Sequence, residues 1–273
     1  MDQATDSPVP IVLTVAGLDP SGGAGILADA STIASFDCYP IAVITAITFQ
    51  NAAGVYGFVT HSKEVLRGQL LPLLHELPIA CVKTGMLPKR EIVLEVARMM
   101  REHELACLVV DPVMVSTSGY SLMDEEAVMA MKNELLPLAY LVTPNIPEAE
   151  ELVGFSIGDE TEMRRAAEAI RRTGVRAVLI KGGHLKSPEG MATTEVMDLL
   201  DNDGQVTVFR GEWLEGVELR GSGCRLASAI TACLAKRNPL EESVLRARKY
   251  VAEAIRRLQR LNSVDASADS INT

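Results

Sequence analysis

Residues 11–35 read IVLTVAGLDPSGGAGILADASTIAS, and the order of chemistry within them decides the fold class. Ile11 to Ala16 is a short apolar run rich in β-branched residues, ended by Gly17, which is the pattern of a strand buried on both faces. Gly22 and Gly23 follow in a loop, and Ala24 to Ser35 then mixes small and apolar residues as a helix does. The unit is strand, glycine turn, helix.

The same unit recurs along the chain. Strands are predicted at Ile41–Thr48, Ile79–Lys83, Ala106–Asp111, Tyr140–Thr143 and Ala177–Lys181. Helices are predicted at Ser62–Leu77 (with Ser62 as N-cap), Glu91–His103, Asp124–Leu135, Pro147–Val153, Glu160–Thr173, Gly223–Lys236 and Leu240–Leu261. Thr194–Leu200 and Gln205–Arg210 flank Asn202-Asp203-Gly204, a hairpin signal, while Glu212–Arg220 is less regular. Alternating strands and helices specify an α/β protein, a mostly parallel central sheet with helices on both faces. The expected organisation is a flexible segment over 1–10, one domain over 11–261 and a frayed polar tail over 262–273. In such sheets ligands bind at the carboxyl ends of the strands, in the loops that lead into helices.

Composition limits the partners. The 273 residues carry 26 Lys+Arg against 36 Asp+Glu, a net charge of −10, which argues against general binding to nucleic acid or an anionic membrane surface. It leaves room for a local phosphate site, since a few N–H groups and one Lys suffice to hold an anion. Hydrophobic residues make up 48% of the chain, enough for a large core. No apolar run reaches the ~18 residues of a membrane helix, and MDQATDSPVP lacks the basic start of a signal peptide. The five cysteines, at 38, 81, 107, 224 and 233, are odd in number and lack C-x-x-C spacing. They are expected to be reduced thiols in a cytoplasmic protein, four of them in the core.

Five loops carry candidate chemistry, each with a plainer alternative. Gly17-Leu18-Asp19-Pro20-Ser21-Gly22-Gly23-Ala24-Gly25 is a tight connection or a place where backbone approaches a ligand; Asp29 beyond it is an exposed helix acid or an acceptor for a polar ligand. Asp111 ends a buried strand, where it either caps the next segment or holds Mg²⁺ through water. Asn145 and Glu148 open a helix behind Pro147, which capping explains, or they orient water around a metal–nucleotide complex. Lys181-Gly182-Gly183-His184 points an ammonium and backbone N–H groups into one loop, as a polyphosphate requires, or is a surface turn. Arg220-Gly221-Ser222-Gly223-Cys224-Arg225 starts an apolar helix with Gly-x-Gly, an anion hole for charge on a transferred phosphoryl group. At that helix start the Cys224 thiol is expected to have a lowered pKa and to act as proton acceptor or activated polar group; its alternative is a core thiol. The flanking Arg220 and Arg225 favour the anion site.

Read in order, AGLDPSGGAGILAD (16–29), VITAITFQN (43–51), VKTGML (82–87), VVDPVMVSTSG (109–119), LLPLAYLVTPNIPEAEEL (135–152), KGGH (181–184) and GSGC (221–224) resemble the hydroxymethylpyrimidine/phosphomethylpyrimidine kinases of thiamine biosynthesis, within the ribokinase-like superfamily. The match runs over roughly residues 11 to 257. It implies a three-layer α/β/α ribokinase-like fold and two successive phosphoryl transfers from Mg-ATP, to the aminopyrimidine's hydroxymethyl group and then to its monophosphate. By the same resemblance Asp29 and Gln50 hydrogen-bond the pyrimidine edge, and Met86 and Val113 pack on its ring. Lys181 serves the nucleotide, while Asp111, Asn145 and Glu148 organise Mg²⁺. Arg220 and Arg225, which the family does not usually carry, are expected to bind the nucleotide by stabilising phosphate charge in place of the missing donors, the alternative being that they block the loop. Gly221, Ser222 and Gly223 form the anion hole beside Cys224. The anion loop departs from the family's usual His-Gly-Thr-Gly-Cys-Thr by Arg at 220, Ser at 222 and Arg at 225. A homodimer is expected. A pyridoxal or pyridoxine kinase, and a catalytically weak pyrimidine-binding regulatory homologue, are the rival readings.

Overall fold

The structure, a computed structural model, describes residues 8–183, 195–214 and 219–269. His184 and the central part of the Glu212–Arg220 approach therefore lie outside the described residues. Among those described, the chain forms one nine-stranded sheet of order β3-β2-β1-β4-β5-β6-β7-β8-β9. The strands are β1 (Ile11–Leu18), β2 (Tyr39–Gln50), β3 (Val55–Thr60), β4 (Ile79–Thr84), β5 (Leu108–Val110), β6 (Leu141–Val142), β7 (Ala177–Lys181), β8 (Glu195–Asn202) and β9 (Gln205–Glu212). Pairings from β2 through β1, β4, β5 and β6 to β7 are parallel. Antiparallel β3 at one edge, and β8 and β9 at the other, complete the sheet.

Helices cover both faces. On one lie α2 (Lys63–Glu76), α3 (Arg90–Glu102), α4 (Glu125–Ala130), α5 (Ile146–Val153) and α6 (Glu160–Arg171), which bury Leu66, Ile92, Val96, Ala127, Ala149 and Met163 against Leu13, Val15, Val82 and Val110 of the sheet. On the other lie α1 (Gly25–Ser35), α7 (Ser222–Ala235) and α8 (Leu240–Asp269), with Ile33, Ala229, Ile230 and Val244 against Val12, Val109 and Leu179. The three-layer expectation is met.

Several details differ from the sequence reading. Strand β3 is additional: Val55-Tyr56-Gly57-Phe58-Val59-Thr60 folds back on β2, its alternation interrupted by Gly57. The predicted Asp124–Leu135 helix is α4 followed by a π-helical turn over Met131–Leu135, and Asp124 caps it by accepting from Ala127 N. Helix α8 continues to Asp269, where a frayed tail was expected from 262; no Gly or Pro interrupts residues 262–269. Cys81 and Cys107 form a disulfide, which corrects the expectation of five free thiols. Cys81 is in β4 and Cys107 just precedes β5; these strands are parallel neighbours, so the two Cα atoms lie 4.7 Å apart, a spacing that suits the bond.

Candidate active site

The crossovers lead from the carboxyl ends of parallel strands into helices, so the loops after β1, β4, β5 and β6 share one rim of the sheet, with Lys181 at the end of β7 and the start of α7 beside them. The turn after β1 is held by Asp19. Its Oδ1 accepts from Ser21 N (2.8 Å) and Ser21 Oγ (2.7 Å), and its Oδ2 from Ala24 N (2.9 Å). Gly25 has φ +56°, and any Cβ there would strike the carbonyl of Gly17, so the close turn requires glycine.

Beside this turn lies an apolar cluster, with Met86 against Gly17. Met86 packs with Ala46 and Leu122, and Val55, Phe58 and Val113 close around them. Thr45 Oγ1 fixes the strand-to-loop geometry by donating to Met86 O at 2.7 Å. Gln50, half-buried, ends β2 at the hairpin with β3. Met86 and Val113 thus share one apolar cluster.

Asp29 is placed differently from both sequence readings. It is fully buried, and its Oδ2 accepts from Thr14 Oγ1 (2.7 Å) and Lys83 Nζ (2.9 Å) while its Oδ1 accepts from Ser228 Oγ (2.8 Å) and Lys83 Nζ (3.0 Å). Four elements, β1, α1, β4 and α7, meet through this carboxylate. It is neither an exposed helix acid nor turned outward to a ligand. Lys83 is itself fully buried; burial works to lower its pKa, but the charge and hydrogen bond of Asp29, together with Cys224 and Asp111, outweigh this and hold it above its ordinary value. Lys83 was not singled out from the sequence. A charge inside the buried run Ile79–Thr84 was the signal that could have found it.

A second cluster spans the ends of β5, β6 and β7. Lys181 Nζ lies 3.2 Å from Asp111 Oδ1 and 3.9 Å from Glu148 Oε2. Thr143 Oγ1 is 3.3 Å from the same Asp111 oxygen. The other oxygen, Oδ2, is buried with no hydrogen-bond partner among the described residues. Burial works to raise the Asp111 pKa, but the Lys181 and Lys83 ammonium groups outweigh it and keep the carboxyl below its usual range. Glu148 goes the other way: burial pushes it up to about 7, with Asp111 adding to the rise and Lys181 opposing it. Asn145 and Glu148 also form a capping box, with Asn145 Oδ1 accepting from Glu148 N (2.9 Å) and Glu148 Oε2 from Asn145 N (2.8 Å). The capping account of these two residues is therefore right in the local structure, while Glu148 still faces Lys181.

Gly221, at φ +67°, caps α7, and Ser222, Gly223 and Cys224 form its first turn, where N–H groups lack intrahelical acceptors. A Cβ on Gly223 would lie 3.1 Å from Lys181 Nζ, which brings this loop against the second cluster. Cys224 is half-buried, and its pKa corrects the sequence expectation. Burial pushes it up to about 12, and although Lys83 and the Gly25 N–H favour the thiolate, Asp111 and Asp29 oppose it. At neutral pH it is a thiol. The helix start does not prevail over the burial of the thiol, to which the two nearby carboxylates add.

The two arginines are not turned to Lys181. Arg220 Nη2 pairs with Asp19 Oδ2 at 3.3 Å, and Nη1 lies 3.4 Å from Ser21 Oγ. Arg225 stands beside Tyr250 of α8; burial would raise that phenol, but Ser35, Thr32 and the Arg225 guanidinium hold it below its ordinary value.

The fit to Mg²⁺ can be judged from donor chemistry. Among the described residues no three metal-ligating side chains form a preformed cage. The orphaned Asp111 Oδ2 and the adjacent Glu148 offer two hard oxygen donors. Mg²⁺ characteristically uses one or two carboxylates, with substrate phosphates and water completing its shell. The residues present fit such an ion.

A profile of the phosphomethylpyrimidine kinase family matches residues 19–269. The chain is 45% identical over 252 residues to the hydroxymethylpyrimidine/phosphomethylpyrimidine kinase of Rhizobium meliloti (strain 1021), covering 92% of each protein. It is 43% identical over 250 residues to the thiamine biosynthesis bifunctional protein ThiED of Geobacter sulfurreducens; that match takes in 92% of the chain but spans only 50% of the relative. Among solved structures, the phosphomethylpyrimidine kinase of Clostridium difficile 630 superposes with a TM-score of 0.79 at 39% identity, over 90% of this chain and 99% of that one. The pyridoxal kinase of Staphylococcus aureus in complex with pyridoxal superposes with a TM-score of 0.82 at 31% identity, over 92% and 89% of the two chains. The same kinase in complex with ADP gives 0.81 at 31%, over 91% and 89%. With the family profile spanning the fold from the glycine turn to α8, this chain belongs to the phosphomethylpyrimidine kinase family.

Proposed function

We propose that the chain phosphorylates 4-amino-5-hydroxymethyl-2-methylpyrimidine and then its monophosphate, using Mg-ATP, in thiamine biosynthesis. The observation that carries the reading is the position of an apolar cluster (Met86, Val113) next to the strand end that holds Asp111, Lys181 and the first-turn N–H groups of α7, in a chain of this family. In the reaction the hydroxymethyl oxygen forms the new P–O bond, the bond from the γ-phosphorus to the bridging oxygen of ADP breaks, and the hydroxyl proton is released.

Each residue acts mainly by position and charge, as phosphoryl transfer demands. Met86 and Val113 hold the ring, with Gln50 at its polar edge. Lys181 neutralises the phosphates, and the first-turn amides of α7 stabilise charge on the transferred group. Cys224, a thiol at neutral pH, orients the hydroxymethyl group and does not serve as the base. Asp111 and Glu148 hold Mg²⁺, with Asn145 fixing Glu148; when bound, the ion draws off negative charge from the phosphates. Asp29 supports the pocket from below through Lys83.

Among the described residues no helix is long and apolar enough to cross a membrane. The exposed face formed by Ile47 and Phe49 of β2 with Val59 of β3 suits burial against a second copy. Light scattering of the wild type and of Val59→Asp tests this: a dimer that dissociates supports it, and a monomeric wild type refutes it. The activity is tested by incubating protein, pyrimidine and Mg-ATP and resolving products by mass. Monophosphate followed by diphosphate is expected; accumulation of the monophosphate alone would remove the second transfer from the proposal.

A further inference from the structure

We propose that Arg220 is a positioning residue that latches the anion loop onto the glycine turn after β1, and so sets the distance between the ring pocket and the phosphate-binding amides. The inference rests on the kinase reading for its catalytic consequence but on geometry for the latch itself.

Three contacts join segments some two hundred residues apart. Arg220 Nη2 lies 3.3 Å from Asp19 Oδ2, an oxygen that already accepts from Ala24 N. Asp19 is 2% exposed, so this acid is held by its own turn and completed by one distant cation. The guanidinium lies across Gly23: a Cβ there would stand 3.1 Å from Arg220 Cζ and 3.2 Å from Nη1. Gly221 then seats on the same turn, where a Cβ would strike Gly23 O and come within 2.9 Å of Ala24 Cα. Glycines at 23 and 221 permit the approach, and Arg220 supplies the charge that holds it.

The latch also explains why the Arg220 charge is not free for a phosphate. Its two terminal nitrogens are engaged, Nη2 with Asp19 and Nη1 with Ser21. One residue past Gly221 the helix begins, and Gly223 abuts Lys181, so a displaced loop would be felt at the phosphate-binding lysine. Misplacement by about 1 Å of groups that align a reaction costs on the order of 100-fold in rate. A planar fork is needed to span Asp19 and lie over Gly23 at once, so Lys is not an equivalent substitute.

Arg220→Gln, Arg220→Lys and Asp19→Asn, with the Arg220→Gln/Asp19→Asn double variant, test the latch in two ways. Hydrogen exchange on the full-length protein reads it without activity: Arg220→Gln is expected to speed exchange together over residues 19–25 and 219–225. Exchange unchanged in both segments, or raised only at 219–225, would overturn the proposal. Kinetics read the consequence. Arg220→Gln should lower kcat about 10-fold or more with the KM for Mg-ATP nearly unchanged, Arg220→Lys should recover only part, and the double variant should fall within about threefold of the worse single variant. A raised KM for Mg-ATP, fully restored by Arg220→Lys and additive with Asp19→Asn, would make Arg220 a phosphate ligand instead. If wild type turns over no pyrimidine, the kinase reading fails while the exchange result still decides the latch. Should Arg220→Gln not fold, Arg220→Lys carries the exchange test, with the same paired rise expected at smaller amplitude.

Discussion

Two ion-paired clusters stand at the strand ends, built from the same residue types and differing in what they leave over. In the first, Asp29 and Lys83 are both fully buried, and Thr14 and Ser228 complete the carboxylate. In the second, Asp111 keeps one buried oxygen without a partner among the described residues, Lys181 retains 15% side-chain exposure and Glu148 is poised near 7. A saturated pair has nothing to offer a ligand and serves as scaffold. An unsaturated one stores unmet hydrogen-bonding and charge, which Mg²⁺ and phosphate can satisfy.

The sharpest way to break this contrast is to unpair the first cluster. Lys83→Met leaves the Asp29 charge buried, and loss of one partner of a buried pair costs about 3–5 kcal/mol. Urea unfolding should show that loss, and Lys83→Met/Asp29→Asn should recover most of it, because the Asn amide oxygen can still accept from one of the Thr14 and Ser228 hydroxyls while its NH2 donates to the other. A single variant as stable as wild type would mean the pair is no scaffold.

Next comes the second cluster. Asp111→Asn should reduce kcat about 100- to 1,000-fold, the scale of removing one preorganised electrostatic group. The urea midpoint should barely move. If stability falls instead and kcat holds, Asp111 belongs with the scaffold.

The pH dependence sharpens the difference further. Folding raises Glu148 from near 4.5 to about 7, so the folded state favours its neutral form. Its stabilising contribution is complete below about pH 4.5 and is lost as pH rises through about 7. Urea midpoints for wild type should therefore carry a decline over that interval which Glu148→Gln removes, since Gln still completes the capping box. An identical profile in the variant would assign the titration elsewhere.

The smallest effect is expected at Cys224. Raised to about 12, the thiol should react with iodoacetamide at pH 7 no faster than an ordinary cysteine, and Cys224→Ser should keep more of kcat than Cys224→Ala. Rapid labelling at neutral pH would restore the activated-thiolate reading.

Much of the second cluster was legible in the sequence, for a definite reason. Asp111 and Lys181 each end an apolar strand just before Pro or Gly, a place where a charge has only the cleft to face. Gly221 and Gly223 were legible for a similar reason, as Gly-x-Gly opening an apolar helix. The first cluster was not. Lys83 reads as the end of its strand, and Asp29 as a helix acid, until sheet order sets β4 beside β1 and lays α1 and α7 over both. The Arg220–Asp19 contact was hidden likewise, because a pair some two hundred positions apart leaves no local pattern. Strand β3 was missed through Gly57, and the Cys81–Cys107 bond because pairing across parallel strands depends on their order.

The most direct test of the central claim, that an apolar ring pocket and an unsaturated phosphate rim together make a pyrimidine kinase, is a comparison of kcat/KM for the hydroxymethylpyrimidine and for pyridoxal under saturating Mg-ATP. Preference for the pyrimidine by about 10-fold or more, the factor that 1.4 kcal/mol of differential transition-state binding provides, is the predicted result. Preference for pyridoxal, or pyrimidine binding by calorimetry with no ADP released, would contradict it.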